Sequence, residues 1–145
     1  MNVRSILERK GAEVATIAGA ASLADAAAAL RDRRVGALVV SPDGATIAGI
    51  VSERDVVRAA AAHGASALGR SVESVMSTEV TVCTPADTVP RLMELMTEHR
   101  IRHLPVVDGA GTLCGIVSIG DVVKARLEEL EGENRALADY LHQGR

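Results

Sequence analysis

The chain has 145 residues, a formal charge of −3, and 48% apolar residues of which one is Tyr and none is Phe or Trp. That is ample apolar material for a packed interior, which excludes a disordered chain. The missing aromatic rings argue against base stacking and the missing basic excess against duplex binding, so no nucleic-acid partner is expected.

In chain order, Val3–Lys10 reads as a short helix leading into a strand at Val14–Ala18. A helix follows from Ser22 to Arg33, with Ser22 as cap and Asp25 three residues on. Strands are expected at Ala37–Ser41 and Thr46–Val51, joined through a Gly/Asp turn, and a second helix starts at Ser52. Ala59–Gly69 reads as a helix tail and linker, and Ser71–Met76 as another short lead-in. The order then recurs: a strand at Val80–Thr84, and a helix from Thr88 to His99 with Leu92, Met93, Leu95 and Met96 as its apolar stripe. Strands follow at Leu104–Val107 and Thr112–Val117, and a long helix runs from Ser118 to His142. Along it Val123, Leu127, Leu130, Asn134, Leu137 and Leu141 keep heptad spacing. That stripe either packs on its own globule or pairs with a second chain. Glu128, Glu129, Glu131 and Glu133 fall mostly off it and read as a solvated face, and Gly132 as a possible bend.

The recurrence is a duplication. At an offset of 66 residues, Val35–Ala59 aligns without a gap on Ile101–Ala125, most tightly as GIVSERDVVRA on GIVSIGDVVKA. Each copy has the order β-α-β-β-α. A unit of about 60 residues buries too little surface alone, so the two copies are expected to pack sheet to sheet in one pseudo-twofold α/β globule. The expected divisions are 1–66 for the first copy with its leading helix, 67–127 for the second, and 128–145 for a helical extension.

Each copy holds Gly-Ile-Val-Ser-x-x-Asp, at Gly49–Asp55 and Gly115–Asp121. Taken alone, Ser-x-x-Asp before an apolar run is a capping box. Its duplication, the preceding Gly that lets something approach the strand closely, and the free N–H groups of a helix start also suit a nucleotide. A carboxylate in that place can accept both hydroxyls of a ribose. Cys83 and Cys114 lie in apolar runs without metal spacing and read as small core residues of a reducing compartment. No metal site is expected. The N-terminal MNVRSILERKG lacks a signal-peptide core, and no stretch nears the ~18 apolar residues of a membrane span, so a soluble cytoplasmic protein is expected.

With these motifs and the IRHLPVVD segment at Ile101–Asp108, the chain resembles a tandem pair of CBS domains, a Bateman module, over roughly residues 2–130. The resemblance implies a non-catalytic regulatory module binding AMP, ADP, ATP, NAD(H) or S-adenosylmethionine in clefts between the copies, with no required cofactor. By that resemblance Asp55 and Asp121 each take a ribose, and Ser52, Ser118, Arg54, Arg102 and His103 contact phosphate or ribose. The main chain of Ile17, Ala18 and Gly19, and of Cys83, Thr84 and Pro85, reads the adenine edge. Aliphatic side chains among Ile50, Val51, Ile116 and Val117 sandwich the base. The clefts are unequal: Gly36–Ala37 stands where the second copy has Arg102–His103, and Gly120 where the first has Arg54. His63, His99, His142 and Tyr140 lie in no constellation. The expectation is a stand-alone adenine-nucleotide sensor, homodimeric, acting on an unidentified protein. An interaction scaffold with empty clefts is the alternative, and a nucleotide-hydrolysing enzyme ranks last for want of a phosphate loop or catalytic set.

Overall fold

A computed structural model describes residues 1–143; Gly144 and Arg145, at the end of the expected extension, lie outside the described residues. Helix α1 (Val3–Lys10) opens the chain, with the Asn2 side chain accepting the Ser5 N–H as its cap. The first copy follows as β1 (Thr16–Ile17), α2 (Leu23–Arg33), β2 (Ala37–Val40), β3 (Gly49–Ser52) and α3 (Glu53–His63). A 3-10 turn over Gly64–Gly69 leads to α4 (Val72–Val75). The second copy is α5 (Val89–His99), β4 (His103–Val107), β5 (Leu113–Ser118) and α6 (Ile119–Gln143).

The first sheet runs β1-β2-β3, parallel then antiparallel, with Val39 opposite Ile50. The second pairs β4 with β5, Pro105 opposite Ile116. The strand expected at Val80–Thr84 shrinks to one parallel bridge between Cys83 and Val106. Its physical reason is local: the Thr84 N–H donates to the Asp87 carboxylate at 2.8 Å, and Pro85 follows with no N–H to give. The first-copy strand likewise keeps only Thr16 and Ile17 of the expected five residues, as the Ala18 carbonyl turns back to the Ala21 N–H.

Alternation along the strands builds two cores. Leu38, Val40 and Val51 meet Leu23, Ala26 and Leu30 of α2 in one. Leu104, Val106 and Val117 meet Leu92, Met96 and Val122 in the other. Met93 leaves the expected α5 stripe and is exposed, whereas Val89 joins the core. The opposite strand faces are covered too: Ala37, Val39 and Pro105 are buried. Across that seam the Leu113 N–H donates to the Ala45 carbonyl at 2.9 Å, and the His103 ring lies against Gly36. The sheets therefore meet back to back, as the duplication suggests.

The short helices cross over. Val3 and Ile6 of α1 pack in the second core, and the Arg4 N–H donates to the Pro85 carbonyl at 3.0 Å. Val72 of α4 packs in the first core, and the Glu73 N–H donates to the Gly19 carbonyl at 2.9 Å. Each lead-in helix thus completes the half other than the one it precedes. The segment expected as a linker is also structural, since Ala67 is buried in the first core.

Helix α6 runs unbroken through Gly132. It docks by Val122 and Ala125, not by the heptad stripe. Of the expected solvated glutamates, Glu128 pairs with Arg9, and Glu129 with Arg126 at 3.1 Å and the Met1 amine at 2.7 Å; Glu131 and Glu133 are exposed. The stripe itself stands free of this chain: Val123 is 50% exposed, Leu127 56%, Leu137 59% and Leu141 62%.

Candidate functional site: two carboxylates at paired helix starts

Ser52 ends β3 and Ser118 ends β5, where extended backbone turns into helix. Both motifs form capping boxes, worth about 1 kcal/mol each to their helices. Asp55 Oδ2 accepts the Ser52 N–H at 2.8 Å and the Ser52 hydroxyl at 3.1 Å. Asp121 Oδ2 accepts the Ser118 N–H at 2.9 Å and the Ser118 hydroxyl at 3.0 Å. The capping reading is therefore right for both. It does not exhaust either group, because every such bond falls on Oδ2, and Oδ1 has no hydrogen-bond partner among the described residues.

Asp121 has a third partner that the repeat pattern misses. Lys10 Nζ donates to Asp121 Oδ2 at 2.7 Å and to the Ile116 carbonyl at 3.0 Å. Partial burial pushes the Asp121 carboxyl up, but the Lys10 and Ser118 donors more than offset it and hold it below the usual carboxylate range. Lys10 stands outside the duplicated motifs in sequence and reaches the second copy because α1 crosses over.

The glycines before the motifs are needed for close approach, though by this chain's own segments. A Cβ on Gly49 would lie 2.8 Å from the Ser77 carbonyl oxygen and 2.6 Å from Met76 Sδ. One on Gly115 would lie 2.8 Å from Leu7 Cδ1. Gly36 does the same for the seam: a Cβ there would come within 2.9 Å of the His103 ring. This is why the first copy carries Gly36 where the second carries Arg102. His103 is half-buried, and that burial lowers its pKa against the pull of Glu53 and Asp121.

Arg54 and Arg102, assigned by sequence to different clefts, line one cavity of about 420 Å³ together with Arg100. Met96, Ile101 and Val122 form part of its apolar wall. Arg100 was legible as a repeat feature: it caps α5 in the left-handed conformation at φ 53°, as Arg34, 66 residues earlier, caps α2 at φ 54°.

The aliphatic sandwich divides by strand parity. Val51 and Val117 are fully buried in their own cores, so their side chains cannot reach a cleft; Ile50 and Ile116 are half-buried on the other face. The strand-end carbonyls are already engaged: Ile17, Ala18 and Gly19 accept from Ser41, Ala21 and Glu73, and Cys83, Thr84 and Pro85 from Val107, Asp87 and Arg4. A base edge would use their second lone pairs. Cys83 is a buried free thiol pushed up to about 12 by burial, whereas Cys114 sits half-buried at the rim of the second core instead of inside it. Among the described residues no His, Cys, Asp and Glu cluster fits a metal ion. No described helix is long and apolar enough to cross a membrane. His99 and His142 are exposed, as is Tyr140, and the exposed His63 ring lies 3.3 Å from the Arg70 guanidinium.

The family model for the CBS domain matches this chain twice, over residues 3–62 and 72–128. A mitochondrial CBS domain-containing protein of Arabidopsis thaliana, CBSX3, is 42% identical over 125 residues, covering 83% of this chain and 60% of that protein's length. A crystal structure of a CBS-domain-containing protein from Agrobacterium tumefaciens superposes with a TM-score of 0.81 at 45% identity, covering 86% of this chain and 98% of that one. A CBS domain protein from Pyrobaculum aerophilum, complexed with AMP, gives a TM-score of 0.72 at 30% identity over 83% of this chain and 89% of that one.

Proposed function

Since the chain belongs to the CBS-domain family, we propose that it is a regulatory module that binds an adenosine-containing ligand and transmits its occupancy to a protein partner. The observation that carries this reading is the pair of aspartates: each is fixed at a helix start by its own serine, with Oδ1 left available. A ribose diol supplies the two donors such a carboxylate accepts, and charge-assisted bonds of that kind are the stronger ones. The N–H groups at the start of α3 and α6 favour a phosphate beside it. The Pyrobaculum relative's AMP supports AMP as the first ligand to test; ATP, NAD(H) and S-adenosylmethionine follow it. Ile50 and Ile116 flank the base, and the Arg54, Arg100 and Arg102 cavity draws the phosphate end toward the shared face.

The free stripe of α6 supports a homodimer, because a helix that has already docked by Val122 and Ala125 keeps a second apolar face. The same stripe favours the scaffold reading if no ligand enters the clefts. Native mass spectrometry of the protein purified from its own cells separates the two. The sensor reading expects a retained adenosine-containing adduct that disappears from the Asp55→Ala/Asp121→Ala variant. A dimer that never carries such an adduct, and takes none up when offered, overturns it in favour of the scaffold.

A further inference from the structure

Lys10 ends α1, and its ammonium occupies the two acceptors at the mouth of the second cleft, Asp121 Oδ2 and the Ile116 carbonyl. The cavity around it, lined by Ile6, Arg9, Lys10, Asp121 and Lys124 among others, measures about 110 Å³. Small-molecule pockets run to about 300–1,000 Å³. With Lys10 in place the space beside the Asp121 carboxylate is too small for a nucleotide.

Among the described residues the first copy has no counterpart. Asn2 bridges Thr88 as Ser71 bridges Ser22, and Leu7 covers Gly115 as Met76 covers Gly49. On that correspondence position 10 matches position 79, which is Glu79. A second carboxylate cannot donate to Asp55.

We propose that Lys10 is a tethered competitor in the second cleft: its ammonium neutralises the Asp121 carboxylate from the Oδ2 side and covers the neighbouring Ile116 carbonyl, so a ribose engages that carboxylate by displacing the end of α1. This rests on the ribose reading above. The ion pair is partly exposed, with Lys10 at 32% and Asp121 at 23%, so it is weak enough to be exchanged for a bound ligand. The neighbouring Arg9–Glu128 pair ties the same turn of α1 to α6. Displacement of Lys10 thus loosens α1 against the helix that carries the free stripe, and the unlatched first cleft fills first.

The test titrates AMP calorimetrically into the full chain carrying Asp55→Ala, which leaves the second cleft to report, with and without Lys10→Met. The expected result is affinity roughly fivefold tighter with Lys10→Met, the scale of one partly exposed ion pair. Hydrogen exchange on the wild type gives a second readout: AMP should speed exchange at the C-terminal turn of α1 while slowing it at the start of α6. Unchanged or weaker binding with Lys10→Met, or slower α1 exchange, overturns the competitor. Adding Asp121→Ala to the Asp55→Ala chain distinguishes that from failure of the ribose reading itself: if AMP still binds as before, the reading and the competitor fall together.

Discussion

At the scale of single residues, the decisive positions are those with no room to spare. Gly49 faces a backbone oxygen, whereas Gly115 faces the flexible end of Leu7. A methyl group at Gly49 must therefore push main chain, and one at Gly115 only a side chain. Gly49→Ala should cost about 1–3 kcal/mol and Gly115→Ala distinctly less, read from denaturant midpoints. Equal costs would mean that the main chain at Ser77 yields as readily as Leu7. His103 supplies a pH prediction. Its folded pKa is depressed, by burial at the seam first and by Lys10 and Arg102 in addition, with Glu53 and Asp121 opposing. The unfolded chain then binds more protons below the ordinary value of about 6.5, so this stability is present above that pH and lost as pH falls through the folded pKa. His103→Gln should flatten the fall in stability that begins as pH drops below about 6.5. An unchanged slope would remove His103 as its source.

At the scale of elements, the exchange of α1 and α4 ties the halves together. Val3 is fully buried in the second core although it lies in the first few residues of the chain. Val3→Ala should cost about 2 kcal/mol. Amide exchange should then quicken in β4, β5 and α5 more than in β2, β3 and α2; the reverse order would contradict the crossover. This is also where the sequence was least informative. The caps at Ser22, Ser52 and Thr88 and the turn at Asp43–Gly44 are local chemistry, and each was readable from a few neighbouring residues. Which half a short apolar helix completes depends on non-local packing, for which Val3 and Val72 carry no signal. The same gap hid Lys10: its partner lies 111 residues away. Strand parity, by contrast, is readable in the sequence and separates Ile50 from Val51 and Ile116 from Val117, leaving only the two isoleucines on the faces away from the cores.

At the scale of the whole molecule, the proposed sensor rests on two helix-start aspartates and the proposed dimer on the exposed apolar stripe of α6. Leu130→Ser with Leu137→Ser removes two apolar groups from the free face of α6 without touching Val122 or Ala125. Light scattering should show the proposed dimer dissociating while the melting transition of the globule persists. A dimer that survives places its interface elsewhere. The central claim, that Asp55 and Asp121 each hold a ribose, is tested most directly by calorimetric titration of AMP into four proteins: wild type, Asp55→Ala, Asp121→Ala and the double variant. The account predicts that each single variant loses one binding event, the stronger one with Asp55→Ala, and that the double variant gives no heat of binding. A double variant that binds AMP as the wild type does would contradict it.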